Sequence, residues 1–315
     1  MSELDDLAFF QTLAGNSSLT ATAREVGLSL SAVSKRLAQL EARLGVQLVQ
    51  RTTRRLSLTA EGEHYARRGR AILDDLGELE NTLADRHGQL SGRLRVNATF
   101  GFGRAHVAPL IGEFVHRHPG VEVLLELSDY PLNLLAHDLD IGIVVGAPPD
   151  SRLVARRILA NRRLLCAAPD YLERHGRPVR HEELSRHNCL VVREHDSDYA
   201  VWRFIAQGRE CSCKVSGTLA SNDGEAVMRW ALDGHGIIWR SWWHVHALLQ
   251  AGAFEAVLPH YDTPRADFYA VYRHSRFVPV RVRTFIDFMV ERLAARVPPL
   301  PVLSAFHGAS PDGQA

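Results

Sequence analysis

The pattern of apolar and polar positions changes character twice along the chain. In the first 60 or so residues it reads as short helices separated by turn signals. The clearest stripe there is Val33, Leu37, Leu40 and Leu44, at the 4-3-4 spacing of one face of an amphipathic helix. A second helical stretch opens at Thr59 and runs to about residue 86. Along it Tyr65, Gly69, Ile72, Leu76, Leu79 and Leu83 form a narrow seam at 4-3-4-3-4 spacing, the repeat of a coiled coil. Residues 87–92, HGQLSG, break that helix. Beyond them apolar runs alternate with amphipathic helices, which predicts an α/β domain with a largely parallel sheet. The predicted strands are LRVNA (94–98), VEVLLEL (121–127), LDIGIVV (139–145), LLCAA (164–168), CLVVR (189–193), GIIW (236–239) and DFYAVYR (267–273). One helix is predicted over 104–118, stopped by Pro119-Gly120, and a last one over 278–296, ahead of Pro298-Pro299. The tail after it is expected to be disordered.

The first stripe belongs to a more specific constellation. Ala23 is small where two helices must cross closely, Gly27 falls where the turn between them needs a positive φ, and Val33 faces inward from the second helix. Val26 and Leu28 are expected to flank that turn and close a small core. Ser29 stands at the N-cap of the second helix. The face opposite the stripe carries Ser31, Ser34, Lys35 and Arg36, short hydroxyls and long cations suited to base edges and phosphates in a major groove. The alternative is an ordinary amphipathic helix pair in a globular core, and the coincidence of this spacing with a capping serine and a basic face weighs against it. The following VQLVQRTTRRLSLT reads as a β-hairpin wing. Its tip carries Arg51, Thr52, Arg54 and Arg55, which suit phosphates or a narrow minor groove.

Charge sharpens this reading only when taken locally. The formal net charge of the 315 residues is +1, which by itself suggests no polyanion. Between Arg24 and Arg70, however, ten Lys or Arg residues face four acids. Apolar residues at 46% and charged residues at 23% describe a chain able to bury sizeable cores. The N-terminus lacks the basic and apolar regions of a signal peptide, and charges interrupt every apolar stretch, so a cytoplasmic location without a membrane partner is expected. The four cysteines have no CxxC spacing, and reduced thiols are the default. Cys211 and Cys213 share a strand face, but nothing nearby in sequence would lower a thiol pKa. The 16 histidines are scattered, without a metal-ligand spacing, and no catalytic signature is present. No metal, no cofactor and no enzymatic activity are therefore expected.

From Leu28 to Gly62 the sequence LSLSAVSKRLAQLEARLGVQLVQRTTRRLSLTAEG resembles the LysR-type transcriptional regulators nearly position by position. The family's usual Ser-Gln-Pro-Ala-Val-Ser-Arg stands here as Ser29-Leu30-Ser31-Ala32-Val33-Ser34-Lys35, so Leu30 and Ser31 depart from it. The resemblance extends to about Arg296. It implies a winged helix-turn-helix over residues 1–62, a linker and dimerisation helix over 63–90, and a two-lobed periplasmic-binding-protein-like α/β effector domain over 91–296. Lobe I would take residues 91–161 and 266–296, lobe II residues 162–265, and a tail residues 297–315. It further implies operator DNA and a small-molecule effector as partners, with self-association to a dimer or tetramer through the seam residues Tyr65, Ile72, Leu76, Leu79 and Leu83. RNA polymerase is the remaining expected partner.

Strand ends beside helix starts are where α/β sheets bind ligands. Thr99 and Phe100 end the first strand of that domain, Ser128 ends the second, Arg193 ends CLVVR, and Asn222 precedes a helix of the second lobe. Together they suit a small anion such as a carboxylate. Valines where many relatives carry an arginine, in IGIVV, weigh against an acidic effector. Helix capping alone would equally account for Thr99 and Asn222. Trp239, Trp242 and Trp243 read as core or lobe surface. Three functions are thus separable: a ligand-responsive regulator, a regulator that takes no ligand, and a solute-binding protein or enzyme with an added helical domain.

Overall fold

The computed structural model describes residues 3–16, 18–51, 56–84, 90–128, 134, 139–146, 153–193, 200–206, 208–274 and 278–300, without the side chains of 51, 74, 75 and 78–84. Two compact units divide the chain, residues 1–89 and 90–315.

In the first unit, helices α1 (Glu3–Ala14), α2 (Leu19–Glu25) and α3 (Leu30–Leu44) enclose a core of Phe9, Phe10, Leu13, Ala23, Val33, Leu37 and Leu40, completed by Leu48 and Val49. The turn between α2 and α3 is a Schellman motif. Gly27, at φ +67°, lets the Leu28 amide donate to the Ala23 carbonyl (2.9 Å) and its own amide donate to that of Arg24 (3.4 Å). That geometry carries Leu28 outward. It is 42% exposed and closes no core, contrary to the sequence expectation, while Val26 does pack inward. Strands β1 (Val49–Arg51) and β2 (Leu56–Leu58) pair antiparallel as the wing, whose tip at residues 52–55 lies outside the described residues. Thr59 then caps α4 (Ala60–Ala84), its Oγ1 accepting from the Gly62 amide at 2.9 Å.

Among its described residues the second unit holds two five-stranded sheets and a hairpin. The first sheet runs β4-β3-β5-β14-β6, built from β3 (Ser91–Thr99), β4 (Gly120–Ser128), β5 (Ile141–Val145), β6 (Leu153–Leu159) and β14 (Phe268–Arg273). The second runs β11-β8-β12-β7-β13, from β7 (Arg163–Ala167), β8 (Cys189–Val192), β11 (Ala220–Ser221), β12 (Ile237–Ser241) and β13 (Glu255–Val257). Strands β9 (Val201–Ala206) and β10 (Arg209–Lys214) form the hairpin.

The sheets are mixed, not largely parallel. β3 pairs parallel with β4 and β5, and β8 with β11 and β12, but β14 and β7 pair antiparallel with both neighbours. The reason is topological. β7 and β14 each enter their sheet straight from the other lobe, without the helical crossover that parallel pairing requires. Two connections therefore join the lobes, around Asn161 and around residues 263–267.

Among the described residues, six α-helices cover these sheets. They are α5 (Phe100–Phe102), α6 (Ala108–Arg117), α7 (Pro169–His175), α8 (Gly224–Leu232), α9 (Trp242–Gln250) and α10 (Val280–Arg296). A π-turn, Gly103–Val107, fuses α5 to α6, so the helix predicted from residue 104 begins at Phe100. One apolar core runs through both lobes, and the Phe102 ring stacks on Phe268 at 3.9 Å between centroids.

Candidate functional site

The leading end of α3 is built around its cap. Ser29 Oγ accepts from the Ala32 amide at 3.2 Å and lies 3.0 Å from Ser31 Oγ. Ser31 and Lys35 are exposed and Ser34 is half-buried on the same helix. Arg36 behaves differently. Its Nη2 donates to the Asp5 carbonyl at 2.7 Å, approaches the Asp6 carboxylate at 3.6 Å, and its guanidinium lies 4.5 Å over the Phe9 ring. A cation held this way braces α3 against α1 and is not presented beside Lys35. Arg51 contributes backbone to β1, while its side chain and all of Thr52, Arg54 and Arg55 lie outside the described residues.

The seam along α4 divides in two. Tyr65 meets Phe10 edge-on at 5.3 Å, and a methyl group at Gly69 would come within 2.6 Å of Leu7. Both residues are thus committed to packing on α1. Farther along, Ile72 is 48% exposed and Leu76 half-buried, and the side chains of Leu79 and Leu83 are outside the described set.

In the second unit a cavity of about 300 Å³ lies beside the two connections between the lobes. The connections are held together by buried polar groups. The Asn161 amide donates to Asp267 Oδ1 at 2.9 Å, Asn161 Nδ2 donates to the Ala266 carbonyl at 2.9 Å, and Thr263 Oγ1 donates to the Arg163 carbonyl at 2.6 Å. Arg162 and Arg265 form an antiparallel bridge between them. The cavity is lined from lobe I by Val145 and Gly146, from lobe II by β8, by residues 200–203 and by Trp239, and from the returning connection by Pro264, Arg265 and Ala266.

Its charged residues, among the described lining, are three arginines and no acid: Arg163, Arg203 and Arg265. The Arg163 guanidinium lies 5.1 Å over the Trp239 ring, and Arg265 reaches Asp267 at 3.8 Å. Trp239 Nε1 is buried with no hydrogen-bond partner among the described residues. Trp239 thus lines a cavity, whereas Trp242 and Trp243 are buried in the core, as the sequence suggested.

The five residues expected at the effector site are placed elsewhere, and none is among those lining this cavity. Thr99 and Ser128 are register partners at the ends of β3 and β4, and Ser128 Oγ accepts from Asn97 Nδ2 at 3.1 Å. Thr99 occupies the cap position of α5 but makes no side-chain capping bond. Phe100 lies under the Arg104 guanidinium at 5.7 Å. The Arg193 amide donates to the Ser221 carbonyl at 2.8 Å, and Asn222 precedes the α8 cap, Asp223. Close by, Arg104 of lobe I grips both carboxylate oxygens of Asp223 of lobe II at 3.1 Å. The same lobe contact packs His106 between Phe102 (5.0 Å) and Trp243 (5.2 Å). Burial, with Arg296, His246 and His244 nearby, lowers the His106 pKa from 6.5 to about 4. Beside it His244 meets Glu225 at 3.0 Å, a bond that holds the Glu225 pKa below its usual value.

Burial pushes the Cys189 thiol up to about 12 and raises Cys213 as well, which disfavours thiolate chemistry at either. No cluster able to hold a metal ion and no helix long and apolar enough to cross a membrane occur among the described residues.

A helix-turn-helix module followed by a two-lobed α/β domain with a pocket between the lobes defines a ligand-binding DNA-binding regulator. Residues 4–63 match the bacterial regulatory helix-turn-helix of the lysR family, and residues 87–294 match the LysR substrate binding domain. The chain belongs to the LysR-type family of DNA-binding transcriptional regulators. It is 37% identical over 295 residues to the HTH-type transcriptional regulator DmlR of Escherichia coli strain K12, covering 94% of this chain and 96% of that one. It is 34% identical over 284 residues to the HTH-type transcriptional activator TtdR of the same organism, covering 90% and 91%. Among solved structures it resembles CrgA, a LysR-type transcriptional regulator from Neisseria meningitidis, at TM-score 0.59 and 32% identity over 93% of this chain and 100% of that one. The Vibrio cholerae virulence activator AphB, solved at full length, gives TM-score 0.58 and 27% identity over 92% and 99%. The relatives are transcriptional regulators and activators, so this is a regulatory chain and not an enzyme.

Proposed function

We propose that the cavity between the lobes is the effector site and that its ligand is a small anion, most simply a carboxylate. One observation carries this: three arginines line the pocket with no described acid among them, two of them on the segments that join the lobes. Guanidinium forks match carboxylates in geometry and charge. The Trp239 indole, with the Arg163 guanidinium over it, offers an aromatic wall beside these cations. An anion bridging Arg163 and Arg265 would stabilise one relation of the lobes over another, which is how an effector shifts a population of assemblies. Thr99, Phe100, Ser128, Arg193 and Asn222 form the second candidate position, near the Arg104–Asp223 pair.

At the other end of the chain, Ser31, Ser34 and Lys35 would read and grip the major groove while Arg51, Thr52, Arg54 and Arg55 hold the backbone beside it. Arg36 supports them through α1. The exposed Ile72, continued by Leu76, Leu79 and Leu83, would pair two chains, and two such dimers a tetramer, so that two half-sites are read together. Tyr65 belongs to the packing inside its own unit. Such a protein acts in the cytoplasm, and contact with RNA polymerase would convert its placement on DNA into a change of transcription.

A thermal-shift panel of mono- and dicarboxylates, aromatic acids and amino acids tests the effector assignment. A hit is expected to raise the melting temperature of the full chain in proportion to concentration and to be lost in Arg163→Ala and Arg203→Ala. No shift from any acid, or a shift that survives both substitutions, would remove the pocket from the account.

A further inference from the structure

Two leucines stand in water at the leading end of α3. Leu28 is 42% exposed and Leu30 48% exposed, on either side of the capping Ser29. Ser31 and Lys35 beside them are exposed too, and Ser34 is half-buried. Val33, Leu37 and Leu40 fill the core, Arg36 is held on α1, and the Ser31 hydroxyl lies at hydrogen-bond distance from that of Ser29. Leu30, the first residue of α3, therefore presents bare hydrocarbon where the helix would approach base edges.

A leucine can neither donate nor accept. Laid over a guanine or adenine edge it would strip water from the N7 and O6 or N6 groups and return nothing. Thymine is the one base whose major-groove edge carries a methyl group, and covering that methyl removes apolar surface from both partners. We infer that Leu30 is a specificity-determining residue that selects thymine at one position of each half-site through its C5-methyl group. Leu28, two residues away, widens the same apolar patch. The inference rests on the reading of the chain as an operator-binding dimer, and it adds a reason for the base preference.

The test uses the full-length protein on duplexes selected from a randomised pool, followed by replacement of single thymines with deoxyuridine, which removes only the methyl group. The wild-type pool is expected to share a thymine in each half-site, and its replacement to weaken binding about three- to tenfold, the scale of one buried methyl contact. Leu30→Ala is expected to lose the preference at that position and to bind thymine and deoxyuridine duplexes equally. Leu30→Gln is expected to move the preference to adenine, whose N6 and N7 suit an amide. The deoxyuridine scan needs no variant, so it stands even if a substitution harms folding. Unchanged wild-type affinity at every replaced thymine, or an equal loss in Leu30→Ala, would overturn the assignment while leaving operator binding intact. A wild-type pool without any enriched sequence would overturn operator reading itself.

Discussion

The guanidinium of Arg36 lies 4.5 Å over the ring of Phe9, and this contact joins the DNA-facing helix to the helix beneath it. Arg36→Ala is expected to lower the stability of the first unit by about 1–2 kcal/mol, combining a cation–π contact with a charged hydrogen bond. Sequence preference and the salt dependence of binding should be unchanged, because no phosphate contact is removed. Lys35→Ala is expected to do the opposite, leaving the melting curve alone and weakening DNA binding. Paired melting and anisotropy titrations of the two variants separate the roles. A reduced salt slope for Arg36→Ala would return that residue to the DNA surface.

Gly62 is a packing requirement and not a turn. A methyl group there would overlap the Leu48 carbonyl, which is backbone and has little room to yield. Gly62→Ala is expected to cost about 1–3 kcal/mol by overpacking and to lower the first melting transition. Gly77, with open space around the same atom, serves as the control, and Gly77→Ala is expected to leave that transition unchanged or slightly raised.

The pocket arginines should act on ligand affinity far more than on folding. Arg163→Ala is expected to weaken the binding of a carboxylate hit by about tenfold or more in calorimetry, since a charge-assisted hydrogen bond contributes roughly 1.5–3 kcal/mol. Trp239→Phe keeps an aromatic ring at the wall but shortens it and removes the N–H. A smaller loss of affinity there, with a modest drop in the melting of the ligand-free chain from the lost packing, is the expected result.

His106 gives the second unit a pH dependence of defined sign. Its pKa falls from 6.5 in the unfolded chain to about 4 in the fold, so the unfolded state takes up the proton first. Its contribution is therefore complete above pH 6.5 and is lost as the pH falls from there towards 4. At about 1.4 kcal/mol per unit the ceiling is about 3.4 kcal/mol, and the partial exposure of the imidazole brings it to about 1–2 kcal/mol. His106→Phe, which keeps an aromatic ring between Phe102 and Trp243, is expected to flatten melting temperature against pH over that interval. The lowered His244 pKa leaves a residual slope of the same sign.

What could be read from the sequence was whatever a few neighbouring residues decide. Gly27, Ser29 and the Val33 stripe announce the helix-turn-helix because cap, turn and period act within one or two helical turns. Arg36 could not be placed, because its partners Asp5 and Phe9 lie on a separate helix about thirty positions earlier. The cavity was hidden for the same reason on a larger scale. Arg163 and Arg265 come from connections about a hundred residues apart, and Arg203 from the separate β9–β10 hairpin. Strand ends such as Thr99 and Ser128 carry a visible signal, but a strand end does not reveal where two lobes leave space. The mixed pairing of both sheets likewise depends on which connections pass between lobes.

The most direct measurement is an anisotropy titration of the full-length protein on the duplex upstream of its own gene and on a scrambled duplex, over a series of salt concentrations. A preference of about a hundredfold for the first duplex is expected at moderate salt, with an affinity for both that falls steeply as salt rises and a shift on adding an acid that binds the pocket. Equal affinity for the two duplexes at every salt concentration would contradict it.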